Sequence, residues 1–333
     1  MVNWEEQKRE SPTGPIPGRR HKRHMIINSG SRTDIPAFYS KWFMNRVREG
    51  FVMVRNPYYP EQVTRYRLDP AVVDVLAFCT KNPEPMLPYL EELKMFRQFW
   101  FVTITPYGKE IEENVPDKTR VMAAFRRLSE AVGKKAVIWR YDPIFVSDQY
   151  SVGFHIEAFE KMAEELRGYT RTSVISFIDL YEKTKRNFPE VRAVTAEEQI
   201  ELTKAFVSIG ERYGMTIRTC LENRQLSQYG AVTDGCMTRD VLEEALGITL
   251  ETPKGPGARP ECACILGNDI GMYNTCAHFC KYCYANYDRA VVLRNMRRHD
   301  PESPYLIGGP MPGDVIREAN QKSWANGQMS LFL

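Results

Sequence analysis

The sequence has no apolar run of the ~18 residues that a membrane-crossing helix needs. Its first residues, MVNWEEQKRE, lack both the apolar stretch and the small-residue cleavage site of a secretory signal. An excess of one charge is also missing. The 45 Lys and Arg face 42 Asp and Glu, leaving +3, so composition neither requires nor excludes a polyanionic partner. The expectation from these absences is a cytoplasmic protein with no membrane segment. With 333 residues, 43% of them hydrophobic, there is core material for one large α/β barrel or two ordinary domains.

Cysteine is present in quantity but unevenly. Of eight, Cys79 stands alone, Cys220 and Cys236 come later, and five crowd into Cys262 to Cys283. In a reducing compartment such crowding favours metal over disulfide.

Residues 1–24 hold several Pro and Gly and the basic run Arg19, Arg20, His21, Lys22, Arg23 and His24, with little that could pack in a core. They read as a flexible basic arm, either solvated or in contact with nucleic acid. From Met25, short apolar runs alternate with segments of helical period, the pattern of βα units around a parallel sheet. Seven strands are expected: MIINSG from Met25, FVMVRNP from Phe51, VVDVLAFC from Val72, FWFVTITP from Phe99, KAVIWRYDP from Lys135, TSVISFID from Thr172 and TIRTCLE from Thr216. Amphipathic stretches from Asp117 and Ala196 lie between them, and Gly50, Gly133 and Gly214 sit where helix C-termini prefer glycine.

Because the units succeed one another without an obvious crossover break, a TIM-type (β/α) barrel fits better than an open sheet. The expected divisions are a barrel over 25–260, a cysteine-rich segment over 261–290 that completes it, and a C-terminal extension and tail over 291–333. In such a barrel the residues just past each strand line the active mouth. These are Arg32, Thr33 and Asp34; Arg55 and Asn56; Lys81 and Asn82; Thr103 and Thr105; Arg140, Tyr141 and Asp142; Ser176 and Asp179; and Glu222. Of these, Arg32, Asp34, Lys81, Asn82, Arg140 and Asp142 are expected to position a substrate. The bland alternative is that Arg140 with Asp142, or Arg32 with Asp34, merely pair to cap the barrel.

Residues 274–286 read NTCAHFCKYCYAN, a C-x3-C-x2-C array. Three thiolates on a short loop, Cys276, Cys280 and Cys283, can bind three irons of a 4Fe-4S cubane and leave the fourth open. That open iron suits the amino and carboxylate groups of S-adenosylmethionine, whose one-electron cleavage releases a 5′-deoxyadenosyl radical. Tyr282, inside the array, is placed to pack against the adenine. Zinc prefers four ligands and usually a C-x2-C knuckle, which makes it the weaker reading. Cys220, Cys236, Cys262 and Cys264 are the complement for a second site, iron–sulfur or zinc, or are ordinary buried thiols. Cys79 is either a core cysteine or a hydrogen-atom donor at the mouth.

The segments SRTDIPAFYSKWF from Ser31, CTKNPEPML from Cys79, IWRYDPI from Ile138 and CACILGNDIGMYNTCAHFCKYCYAN from Cys262 resemble the bacterial family catalogued as domain of unknown function 1848. Its C-terminal cysteines look like the radical S-adenosylmethionine loop. A more distant similarity, to spore photoproduct lyase, rests on the barrel, the cysteine loop and the strand-end Lys81. The resemblance specifies a family and implies a radical enzyme, without specifying a reaction. Radical enzymes of this type carry the loop after the first strand, whereas here it follows seven. If NDIGMYN from Asn268 is a barrel strand, the order is circularly permuted and the loop reaches the same mouth; if not, the site is better read as an electron-transfer cluster.

The tail residues Gln328, Met329, Ser330, Leu331 and Phe332 resemble the peptide by which bacterial repair proteins hold the sliding clamp. That resemblance implies DNA as a partner and repair or base modification as the reaction class, with Arg294, Arg297 and Arg298 available for phosphates. A radical enzyme also needs an electron donor such as flavodoxin or ferredoxin. The alternative is a non-catalytic iron–sulfur or zinc protein serving electron transfer or partner binding.

Overall fold

The structure is a computed structural model that describes residues 26–180, 182–220, 222–252, 263–265 and 267–329. The basic arm expected at 1–24 lies outside them. In chain order come β1 (Ile26–Asn28), α1 (Ile35–Phe38), α2 (Ser40–Glu49), β2 (Phe51–Arg55), β3 (Gln62–Arg67), β4 (Val75–Thr80) and β5 (Gln98–Thr103). Next are α3 (Lys118–Val132), β6 (Val137–Ile144), α4 (Val152–Glu165), β7 (Thr172–Phe177), α5 (Glu182–Asn187), α6 (Ala196–Tyr213) and β8 (Thr216–Thr219). The remaining elements are α7 (Arg239–Leu246), β9 (Ile248–Leu250), β10 (Asn268–Asp269), α8 (Arg289–Arg297), β11 (Val315–Glu318) and β12 (Ala325–Met329).

The molecule is a mixed α/β fold around a seven-stranded sheet in the order β10-β1-β4-β5-β6-β7-β8, in which every pairing is parallel. Buried parallel strands must be apolar on both faces, and β5 (QFWFVT) is buried at every position. Period-two alternation divides the sheet side chains between two cores. Ile27, Leu76, Phe78, Trp100, Val102, Trp139, Ile175 and Ile217 pack with the helix residues Phe43, Phe125, Phe159 and Phe206. Ile26, Val75, Ala77, Phe99, Phe101, Ile138 and Val174 pack instead with Met237, Leu242, Leu250 and Trp324.

Local chemistry sets the element ends. The Asp117 carboxylate accepts the Thr119 N–H at the start of α3, and Thr195 with Glu198 forms a capping box on α6. Gly50 and Gly214 end α2 and α6 in the left-handed region, at φ 77° and 72°.

One expectation is corrected. FVMVRNP forms β2, but β2 pairs antiparallel with β3, and β3 pairs with β11, in a separate three-stranded sheet. The turn between β2 and β3 is too short for the crossover that a parallel neighbour needs. Closure of the sheet into the expected TIM-type barrel is not seen: among the described residues no ladder joins the edge strands β8 and β10. Between those edges runs irregular chain. Val232 bridges Arg218 of β8 in parallel, and residues 234–237 accept hydrogen bonds from Ala263 and Ile265, just ahead of β10 (Ala263 N to Asp234 O 3.1 Å, Ile265 N to Met237 O 2.9 Å).

NDIGMYN does begin with a strand of the main sheet. β10 lies beside β1, with Ile27 opposite Asn268. The C-terminal extension returns to the body, where Asp74 accepts Trp324 N at 2.7 Å and β12 pairs antiparallel with β9. Among the described residues no helix is long and apolar enough to cross a membrane.

Candidate functional site

The face of the sheet that begins with Val75, Phe99, Ile138 and Val174 becomes polar toward the strands' C-terminal ends. Farther along the same face, at even steps from these residues, stand Cys79 and Lys81, Thr103, Arg140 and Asp142, and Ser176. The Asp142 carboxylate is shared between the Arg140 guanidinium and the Ser176 hydroxyl. Arg140 stacks over the Phe101 ring at 5.3 Å. Its charge also acts on Cys79, Cys220 and Cys236. Past β8, Glu222 accepts Phe177 N at 2.8 Å. Burial, reinforced by the charges of Asp179, Asp142 and Cys220, pushes its carboxyl up to about 8.

The cysteine loop leaves β10 and crosses this end of the sheet. Four successive carbonyls are tied outward: Thr275 to Tyr39 OH (2.6 Å), Cys276 to Asn286 Nδ2 (2.7 Å), Ala277 to Asn114 Nδ2 (2.8 Å) and His278 to Asn114 N (3.0 Å). Asn274 and Phe279 take positive φ, 56° and 52°; for a residue as bulky as Phe279 that is an outlier which the surrounding bonds must hold in place. Cys276, Cys280 and Cys283 are half-buried and close enough to feel one another's charge. Burial pushes the Cys276 and Cys280 thiols up, so each keeps its proton unless a cation offsets the charge.

Beneath the loop lies Glu112, fully buried. Its Oε1 accepts Lys81 Nζ and Thr105 Oγ1, each at 2.7 Å, and the Tyr282 hydroxyl, while Oε2 accepts Lys118 Nζ. Burial alone would raise this carboxyl. The two ammonium groups outweigh it and hold Glu112 down to about 2. Lys81 is held above its ordinary value by Glu112 against the opposing effect of burial, whereas burial prevails at Lys118 and lowers it.

Each of the six residues expected to position a substrate has a protein partner. Arg32 Nε binds Asp269 Oδ2 at 2.5 Å rather than Asp34. Asp34 accepts Ala37 N, Lys81 N and His278 Nε2. Asn82 caps the turn at Glu84 N (3.2 Å). Arg140 and Asp142 do pair, as the bland alternative had it. Arg55 leaves the group with β2 and binds Asp314, and Tyr141 faces the helix side, bonded to His155 Nδ1 at 2.8 Å. The Tyr282 ring stands 6.1 Å from that of Tyr107, with Lys81 Nζ over it at 5.4 Å. The sequence reading overlooked Glu112, Lys118, Asp269 and His278; only His278, inside the cysteine array, carried a signal.

Three of the four cysteines assigned to a second site also meet. Cys236 Sγ lies 3.8 Å from Cys220 Sγ and 3.8 Å from Cys264 Sγ. Cys262 lies outside the described residues, as do Ser330, Leu331 and Phe332 of the tail. Gln328 and Met329 belong to β12, with Met329 opposite Ile248, so this segment must leave β9 to extend into another protein's groove.

Among the described residues no three His, Cys, Asp or Glu side chains stand as a ready-made metal-binding group. The chemistry of the donors nevertheless fits a cubane: three thiols on one loop, without a fourth, are what a cluster with one open iron takes. The buried His278 Nδ1 is left without a hydrogen-bond partner beside them.

Fold and site together define an α/β protein on a parallel sheet with a cysteine loop at the strands' C-terminal ends. The chain belongs to the family described as Domain of unknown function (DUF1848), which matches residues 26–285. No curated protein matches it.

Proposed function

We propose that the chain is an iron–sulfur enzyme of the radical S-adenosylmethionine type, on a TIM-type barrel with circularly permuted strand order. The observation that carries this reading is that the C-x3-C-x2-C loop leaves β10, the immediate neighbour of β1, at the polar end of the sheet. A loop after the strand beside β1 reaches the same mouth as a loop after β1 itself. Residues 231–237, between β8 and β10, would supply the remaining wall.

Cys276, Cys280 and Cys283 would hold three irons as thiolates, leaving the fourth to S-adenosylmethionine. When bound and reduced by a donor such as flavodoxin or ferredoxin, the cluster supplies one-electron cleavage of a sulfur–carbon bond. The protein's own residues fix the loop and its charge. Asp34 orients His278, and Lys81 favours the thiolate of Cys280. Lys118 neutralises Glu112, which in turn holds the Tyr282 hydroxyl. Arg140, Asp142 and Glu222 are the polar groups available to a substrate. DNA, as an object of repair or base modification, is the class implied by the resemblance of the tail.

A rival reading draws on the ion pairs Arg32–Asp269, Lys81–Glu112 and Arg140–Asp142, which satisfy one another. It makes the chain a non-catalytic iron–sulfur or zinc protein. Anaerobic reconstitution with S-adenosylmethionine and dithionite separates the two. The enzyme yields 5′-deoxyadenosine, and its absence from a reduced, iron-loaded protein would falsify the radical reading.

A further inference from the structure

We infer that Cys220, Cys236 and Cys264 form a separate site for a single tetrahedral, thiophilic divalent ion of the zinc type, which clips together the two edges of the parallel sheet. The spacing of the sulfurs matches that of such a site. A metal with bonds of about 2.3 Å and tetrahedral angles holds its sulfurs about 3.8 Å apart. That is the separation of Cys236 Sγ from both Cys220 Sγ and Cys264 Sγ.

Iron–sulfur clusters do not give this pattern. Cysteines on a cubane bind different irons and stand farther apart; on a 2Fe-2S cluster each iron takes two, so any one sulfur has a single close neighbour. Cys236 has two. No disulfide joins these three cysteines.

Backbone donors and a close glycine shape the position of Cys264. Cys264 Sγ accepts two backbone N–H groups, from Cys236 and Met237, each at 3.2 Å. Gly235 has φ +129°, and a Cβ there would stand 2.8 Å from Cys264 Sγ, so a side chain at this position would push the sulfur away.

The positions of the ligands give the ion its task. Cys220 directly follows β8, Cys236 belongs to the irregular chain beyond it, and Cys264 lies just ahead of β10. No ladder joins β8 to β10 among the described residues, and the ion bridges that gap.

The test uses the full chain carrying Cys276→Ser, Cys280→Ser and Cys283→Ser, so that its outcome is independent of the first site. Titration with cobalt(II) should give a thiolate-to-metal charge-transfer band and the intense visible bands of tetrahedral cobalt, saturating at about one ion per chain. Zinc should displace it. Cys236→Ser should weaken binding at least ~10-fold. Cys220→Ser, at a half-buried position, reads the same loss if the Cys236 variant does not fold. Titration of the unsubstituted apoprotein requires no second-site variant. No charge-transfer band, unchanged binding in both serine variants, or stoichiometric iron with sulfide in the triple variant overturns the proposal.

Discussion

His278 Nε2 lies 2.9 Å from Asp34 Oδ2, joining the cysteine loop to the start of α1 across most of the chain. The same carboxylate caps α1 and receives the Lys81 N–H. Asp34→Ala therefore removes a helix cap and leaves two buried donors unpaired, a loss of about 2–4 kcal/mol. Chemical denaturation of the two proteins measures the cost, and iron retention after reconstitution should fall with it. Equal stability would show that the loop is held without Asp34.

Glu112→Gln leaves Lys81 and Lys118 buried beside an uncharged amide. Breaking a buried pair in this way costs about 3–5 kcal/mol. Replacing Lys118 by Met as well should recover part of the loss, which a double-mutant cycle reads directly. In the parent protein the Glu112 carboxyl is depressed from 4.5 to about 2. Its contribution is thus present above pH 4.5 and disappears as pH falls through 2.

Glu222 has the opposite sign. With its folded value raised from 4.5 to about 8, the unfolded chain ionises first, so this group removes stability as pH rises from 4.5 to 8. Glu222→Gln should raise the melting temperature at pH 8 by several degrees and leave it unchanged at pH 4. A variant equally stabilised at both pH values would contradict this account.

His155 is buried between the Tyr141 hydroxyl and the Phe145 carbonyl, and burial lowers it from 6.5 to about 4. The unfolded chain takes up a proton near pH 6.5 that the folded protein refuses until pH 4. Stability therefore falls over that window, and His155→Gln should flatten this part of a melting-temperature profile at some cost in packing.

Much of the parallel sheet was legible because strands covered on both sides are short apolar runs, and FWFVTIT or AVIWRY reads as such without any tertiary knowledge. The same property misled at Phe51. An apolar run does not say which sheet receives it, and β2 joined β3. Closure was beyond reach because the chain from 231 to 237 makes backbone bonds without regular alternation.

At the site, Cys276, Cys280 and Cys283 were legible as a group because they share one short loop. Ion pairing was not. Glu112 sits between exposed Glu110 and Glu113 in KEIEEN, and only the fold decides which of them is buried. Arg32 and Asp34 are near neighbours in sequence, yet Arg32 pairs with Asp269, brought in by the β1–β10 contact.

That contact also constrains when the protein can mature. Ser31 and Asp269 are 238 residues apart when they bond, so a ribosome must have released nearly the whole chain before β1 acquires its outer neighbour. The thiols of the loop emerge later still. Loading of the cluster proposed for this loop would therefore follow synthesis of the central strands, and an assembly factor would meet a largely formed pocket rather than a nascent peptide.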